Sequence, residues 1–272
     1  MNGAPEAGGG TAGTGPGGTG QGGTGPGGTG QDPAAVRVWV GRVPDTAAPA
    51  DLALLDGPEA RRLAEFRDPV AAARYAGARA AVRRTAAGFL GVGPREVVWD
   101  RGPCPGCGDL RHGPPRLRRP DTGWRVGVSR SGPWWVLALS PGAAVGVDVE
   151  ARGPQRVPAV VRRCLSPAER AHLAALPEGP ERDDAFTRCW VRKEAVVKGW
   201  GVGVATDLAR VEVRPWTGAA VVAGREAGAP DGGDWEVRDL DAGAGCLAAL
   251  ALPAGFRPPV AVHRAAEERP AG

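Results

Sequence analysis

Residues 146–150 read Gly-Val-Asp-Val-Glu, and a strict alternation of this kind fits an extended strand whose successive side chains fall on opposite faces. Val147 and Val149 then enter a core, while Asp148 and Glu150 project together from the other face. Two readings of that acidic face are open from the pentapeptide alone. It is an exposed sheet edge with ordinary surface acids, or it is a place where two carboxylates are gathered for chemistry.

A second stretch bears on the choice. In "WVRKEAVVKGWG", Trp190 to Gly201, a helix puts Trp190, Glu194 and Lys198 on one stripe, each four residues from the next. As a surface pair, Glu194 and Lys198 would add only about 0.2–0.5 kcal/mol. That account leaves the composition unexplained: of 34 lysines and arginines, only Lys193 and Lys198 are lysines. Arginine serves a surface pair equally well, whereas lysine offers a compact charge on a flexible stem, suited to a phosphate oxygen or to proton transfer. Asp148, Glu150 and Glu194 converging on one point would suit a hard divalent cation such as Mg²⁺, which takes a few carboxylates together with waters and phosphates. Cys104 and Cys107 in "CPGCGDLRHG" have ligand spacing and His112 lies nearby. With no second Cys-x-x-Cys to finish a tetrahedral site, the expectation there is a loop of free thiols.

The rest of the chain frames these motifs. Residues 1–32 repeat "GTGPGGTGQG" with almost nothing to bury and are expected to form a flexible glycine-rich tail. A strand is expected from Val36, and two helices between Pro58 and Leu90, with Pro69 in the first turn of the second and Gly91 ending it. Short strands are expected at Arg95–Asp100, in "LARVEVRPW", in "DWEVRDLD" and in "CLAALALP". Trp124–Ser140 reads as a hairpin turning at "SRSGP", Pro158–Leu176 and Asp183–Gly199 as helices, and the polar end "HRAAEERPAG" as frayed. The order of elements repeats, giving an α+β fold of two similar halves, 33–143 and 144–265. Positive charges are interspersed with 30 acids, so no basic arm for nucleic acid is present. With no membrane-length apolar run or signal sequence, the expected place is the cytoplasm. An odd number of cysteines, five, is expected to stay reduced there.

Taken together, "GVDVE" and "WVRKEAVVKGWGVG" resemble the paired motifs of Sfp-type 4′-phosphopantetheinyl transferases, and the similarity extends from about Pro58 to Leu252. "FRDPVAAARYAGARAAVR" resembles that family's arginine-bearing helix, with Arg74 the best match to a cation on the coenzyme's 3′-phosphate and Arg79 and Arg83 weaker ones. "HGPPRL" resembles a loop usually written G-K-P, with Pro114 at the lysine position and Arg116 as a compensating cation. "VSRSG" resembles an S-H-S-G turn, with Ser129 retained and Arg130 in place of histidine. Glu169 in "CLSPAER" is either a motif residue or the partner of Ser166 in a capping box.

The resemblance implies a transferase that moves 4′-phosphopantetheine from coenzyme A to a serine of an acyl or peptidyl carrier protein, in fatty acid, polyketide or nonribosomal peptide synthesis and secondary metabolism. It further implies Mg²⁺ on Asp148, Glu150 and Glu194, catalytic roles for Glu194 and Lys198, and coenzyme contacts from Arg74, Arg83, Arg116, Ser129, Arg130, Lys193 and Lys198. The two halves would pack as a pseudo-dimer within one monomeric chain, with the coenzyme between them. Two rival readings remain open: a non-catalytic module that binds a nucleotide or carrier protein, and a magnesium-dependent phosphohydrolase.

Overall fold

The computed structural model describes residues 32–153, 163–202 and 206–265. The glycine repeat, the first part of the helix expected from Pro158, and Gly203 lie outside the described residues. In β1 (Val36–Arg42) the valines that alternate in sequence, Val36, Val38 and Val40, are all buried on one face. This strand is central to a four-stranded sheet. It pairs antiparallel with β5 (Trp134–Pro141), which pairs with β4 (Trp124–Ser131), and it pairs parallel with β10 (Val260–Arg264). A second four-stranded sheet is antiparallel throughout, in the order β6 (Gly146–Ala151), β9 (Cys246–Pro253), β8 (Trp235–Leu240), β7 (Ala219–Val222). A short ribbon, β2 (Val98–Arg101) with β3 (Pro115–Arg119), forms its own two-stranded sheet, with Trp99 and Leu117 packed against the core of the first.

The cores show how the layers stack. Val36, Val38, Val40, Val136 and Ala138 of the first sheet meet Val147, Val149, Ala248 and Leu250 of the second in one apolar cluster. The opposite face of the first sheet, with Trp135, Leu137 and Leu139, takes α3 (Pro69–Leu90) through Ala78, Ala81, Val82 and Ala86. The opposite face of the second sheet, with Leu247, Ala249 and Ala251, takes α5 (Pro180–Trp200) through Val191, Ala195 and Val196. A long helix, two facing sheets and a second long helix therefore form four layers, a mixed α+β architecture. Among the described residues no helix is long and apolar enough to cross a membrane.

The expected helix starts are present. Asp68 accepts from Val70 N and Ala71 N ahead of Pro69, and α2 (Gly57–Ala64) opens with a capping box between Asp56 and Glu59. Two expectations are corrected. "LARVEVRPW" forms a 3₁₀ turn at Leu208–Arg210 and no strand, because Val211 and Val213 are buried against α5 rather than paired in a ladder. The C-terminal stretch is ordered as far as Arg264, since His263 and Arg264 pair with Trp39 and Val40 of β1.

Candidate active site

The second sheet meets the first at their edges, where β6 and β4 run side by side. Alternation along β6 sends Val147 and Val149 into the inter-sheet core and turns Asp148 and Glu150 toward α5. This face is no exposed edge, for Asp148 is only 2% exposed. The same period governs β4, whose Ser129 and Ser131 meet the two acids in turn. Ser129 Oγ donates to Asp148 Oδ1 at 2.6 Å, and Ser131 Oγ donates to Glu150 Oε2.

The helical stripe completes the constellation. Trp190 Nε1 donates to Glu150 Oε1 at 3.2 Å, two turns before Lys198, whose Nζ reaches Asp148 Oδ1 at 2.5 Å and Ser129 Oγ at 2.8 Å. Glu194 lies between them and interacts electrostatically with Lys198, Asp148 and Glu150. So close a helix requires that β6 present no side chain at its first position. A Cβ on Gly146 would stand 1.8 Å from the Ala195 carbonyl oxygen and 2.5 Å from Gly199 N, and one on Gly199 would stand 2.3 Å from the Trp235 ring.

Burial pushes the carboxyls of Asp148, Glu150 and Glu194 above the usual range, with Lys198 opposing the shift at all three and Ser129 and Ser131 at the two they contact. Glu194 is only 9% exposed. Its Oε1 and Asp148 Oδ2 are buried without a hydrogen-bond partner, a costly state for a carboxylate unless something else binds it. Lys198 keeps 34% of its side chain open to solvent. Three acids against one ammonium, all oxygen donors and with two oxygens unengaged, have the donor chemistry that a hard divalent cation takes, but their oxygens do not all lie within 4.8 Å of one another. Among the described residues, the one trio of His, Cys, Asp or Glu whose ligand atoms all lie within 4.8 Å of one another is Cys104, Cys107 and His112.

The structure thus brings Ser129, Asp148, Glu150, Glu194 and Lys198 together. It does not bring Lys193 there, a correction to its expected role on phosphate. Lys193 lies on another side of α5 and is fully buried, paired with Glu169 Oε2 at 2.7 Å and donating to the carbonyls of Leu208, at 2.9 Å, and Val211. Glu169 belongs to α4 (Pro167–Ala175), where it completes the capping box with Ser166 and accepts from Val213 N at 2.8 Å. A phosphate could reach this lysine only by displacing those partners. Lys193→Met leaves Glu169 charged and uncompensated in the core and is expected to cost about 3–5 kcal/mol of stability, read as a lower midpoint in urea unfolding.

Arg83 is corrected likewise. It is buried, bonded to Glu59 at 2.8 Å and to the Leu54 carbonyl, so it ties α3 to α2 and presents no free guanidinium. Arg79 shares the same Glu59, and Arg74, half-exposed, is bonded to Asp45 at 2.7 Å. Arg116 is an exposed residue of β3 whose guanidinium lies against Gly102. Arg130, alternating with the serines, points away from the acids and lies over Tyr75 at 5.0 Å and Phe66 at 5.8 Å. Two members of the site went unassigned in the sequence, Ser131 and Trp190. The period-2 spacing from Ser129 and the first place in the helical stripe were the signals for them.

Residues 144–249 match the sequence model of the 4′-phosphopantetheinyl transferase superfamily. A phosphopantetheinyl transferase of Thraustochytrium sp. is 32% identical over 195 residues, 65% of this chain and 65% of that protein. The 4′-phosphopantetheinyl transferase HetI of Nostoc sp. is 28% identical over 208 residues, 75% of this chain and 80% of that protein. The match to the Thraustochytrium protein therefore spans just under two thirds of its length. Asp148, Glu150, Trp190, Glu194 and Lys198 all fall within the segment that matches the superfamily model.

Proposed function

We propose that this chain is an Sfp-type enzyme that transfers 4′-phosphopantetheine from coenzyme A to a serine of an acyl or peptidyl carrier protein and releases adenosine 3′,5′-bisphosphate. The observation that carries the reading is the acid cluster with Lys198 at its solvent-open side, built on the segment that matches the superfamily. It acts as a monomer in the cytoplasm, with the halves 33–143 and 144–265 as its pseudo-dimer. One long helix to each sheet supports that division, with the exception of β10, which crosses over to join the first half's sheet.

In the reaction the serine Oγ forms a bond to the β-phosphorus. The bond from that phosphorus to the bridging oxygen breaks, and the oxygen departs on the adenosine bisphosphate. Such transfers ask a protein chiefly to align the groups and to neutralise developing charge. Lys198, held in place by Asp148 and Ser129, offers its ammonium to a non-bridging diphosphate oxygen. Glu194 Oε1, unpartnered, accepts the serine proton. Ser131 and Trp190 hold Glu150 by both oxygens and so fix its orientation. Asp148, Glu150 and Glu194 would hold Mg²⁺, which when bound neutralises diphosphate charge. Arg130, stacked on Tyr75, and Arg74 and Arg116 supply further cations for the coenzyme's phosphates.

Incubation of the full chain with coenzyme A, Mg²⁺ and an apo carrier domain adds one phosphopantetheine to the carrier, read by intact mass. An unshifted carrier despite coenzyme binding would instead mark a non-catalytic module. Release of phosphopantetheine without any acceptor would mark a phosphohydrolase.

The raised carboxyl pKa values set a pH dependence. A carboxyl whose folded pKa exceeds its unfolded value stabilises the fold fully below the unfolded pKa, and that contribution disappears as pH rises through the folded one. Asp148, Glu150 and Glu194 start from 3.8, 4.5 and 4.5 and are all raised. The metal-free protein therefore loses this contribution from about pH 4 upward, and added Mg²⁺ restores it by countering the buried charge. The rise in Tm on adding Mg²⁺ is expected to be larger near about pH 8 than near about pH 5. Equal increments in thermal-shift scans at the two pH values would contradict it.

A further inference from the structure

The loop between β2 and β3 folds back on itself tightly. Gly102 N donates to Pro114 O at 2.9 Å, Cys104 N to Asp109 O at 3.1 Å, and Gly108 N to Cys104 O at 2.7 Å. Gly113 crosses Gly102 so closely that a Cβ would stand 1.9 Å from the Gly102 carbonyl oxygen. These bonds bring two residues that are near in sequence and one that is farther on, Cys104, Cys107 and His112, to within 4.8 Å of one another by their ligand atoms. Cys107 Sγ and His112 Nε2 are 3.2 Å apart. On a tetrahedral zinc with ordinary Zn–S and Zn–N bonds, such atoms stand about 3.5–3.8 Å apart, so small rotations of the side chains complete the geometry.

We propose that Cys104 Sγ, Cys107 Sγ and His112 Nε2 bind one zinc ion, with the fourth position open to water. Two thiolates and an imidazole are soft and borderline donors, which select zinc over the magnesium suited to the acid cluster. Asp109 is not the fourth ligand, because both its oxygens are engaged by Arg111. Cys107 and His112 are exposed, so the position faces solvent.

The ion has structural work to do. Cys104 is buried in the same apolar cluster as Val197, Trp200 and Val202 at the end of α5. Pro114, at the far end of the loop, lies against Gly201, the residue that caps α5 just after Lys198. A zinc ion at the neck of the loop would join these two contacts and fix the β2–β3 ribbon against the helix that carries Lys198.

The full chain, purified without chelator, is expected to carry about one zinc per chain by plasma mass spectrometry. Cys107→Ser and His112→Ala each are expected to lose most of it, while Cys164→Ser and Cys246→Ser retain it. Because Cys104 packs in the core, the wild-type chain provides the second measurement. After its zinc is stripped, added Co²⁺ should give visible tetrahedral bands together with thiolate-to-cobalt charge transfer. Three results would each overturn the proposal: a chain that is purified without zinc and gives no cobalt spectrum, full zinc in both the Cys107 and His112 variants, or a Cys104–Cys107 disulfide in protein prepared under reducing conditions. None of these readouts depends on transferase activity.

Discussion

Lys198→Ala reduces transfer by about 10²–10³-fold, the loss that follows removal of one pre-placed charge at a reacting oxyanion, while the protein stays folded. The lysine is one-third exposed, so its truncation opens little of the core. Asp148 loses its counter-charge, keeps Ser129 as donor, and answers by moving its already raised pKa further up and taking a proton. Lys198→Arg should restore little. The corner between Asp148 Oδ1 and Ser129 Oγ receives a point charge at 2.5 and 2.8 Å, and a planar guanidinium has a different shape and reach. The check is kcat in the carrier mass-shift assay beside circular dichroism and Tm of each variant. Near-wild-type turnover in Lys198→Ala would remove the lysine from the mechanism.

The second large effect concerns a residue with no side chain. Gly146→Ala introduces a carbon 1.8 Å from the Ala195 carbonyl oxygen and 2.5 Å from Gly199 N. Both are backbone atoms of α5, so relief requires moving the whole helix off β6. Overpacking of this kind costs about 1–3 kcal/mol or more, and the helix displaced is the one that holds Glu194 and Lys198 over Asp148. The expected outcome is a drop of several degrees in Tm together with loss of transfer. Gly88→Ala is the control: it is exposed on α3 with nothing near its Cβ direction, and it should stabilise by about 0.5–1 kcal/mol through helix propensity. If both variants melted alike, the contact between Gly146 and α5 would not be limiting.

What could be read in advance follows the range of the interactions. The placement of Asp148 and Glu150, the stripe Trp190–Glu194–Lys198 and the cap at Ser166 are fixed by neighbours two to four residues away, so periodicity reveals them. The partner of Lys193 is Glu169, on another helix, and only the packing of α4 on α5 brings them together. The two lysines that composition singled out thus sit differently, one partly exposed beside Asp148 and one buried against Glu169. Arg83 likewise is expected on the coenzyme, yet Glu59 of α2, twenty-four residues away, draws it inside. The cysteine loop looked incomplete because a three-ligand cluster has no second Cys-x-x-Cys to announce it; the closeness of His112 arises from the crossing at Gly113.

The parallel pairing of β1 with β10 carries a consequence for biosynthesis. During translation Val36–Arg42 leaves the ribosome more than two hundred residues ahead of Val260–Arg264, so one flank of the first sheet stays bare until Arg264 has emerged. An unpaired strand rich in valine is a template for joining other chains. The nascent protein is thus most prone to aggregate just before β10 arrives, and slow synthesis of the stretch that encodes β10 would lengthen that exposure.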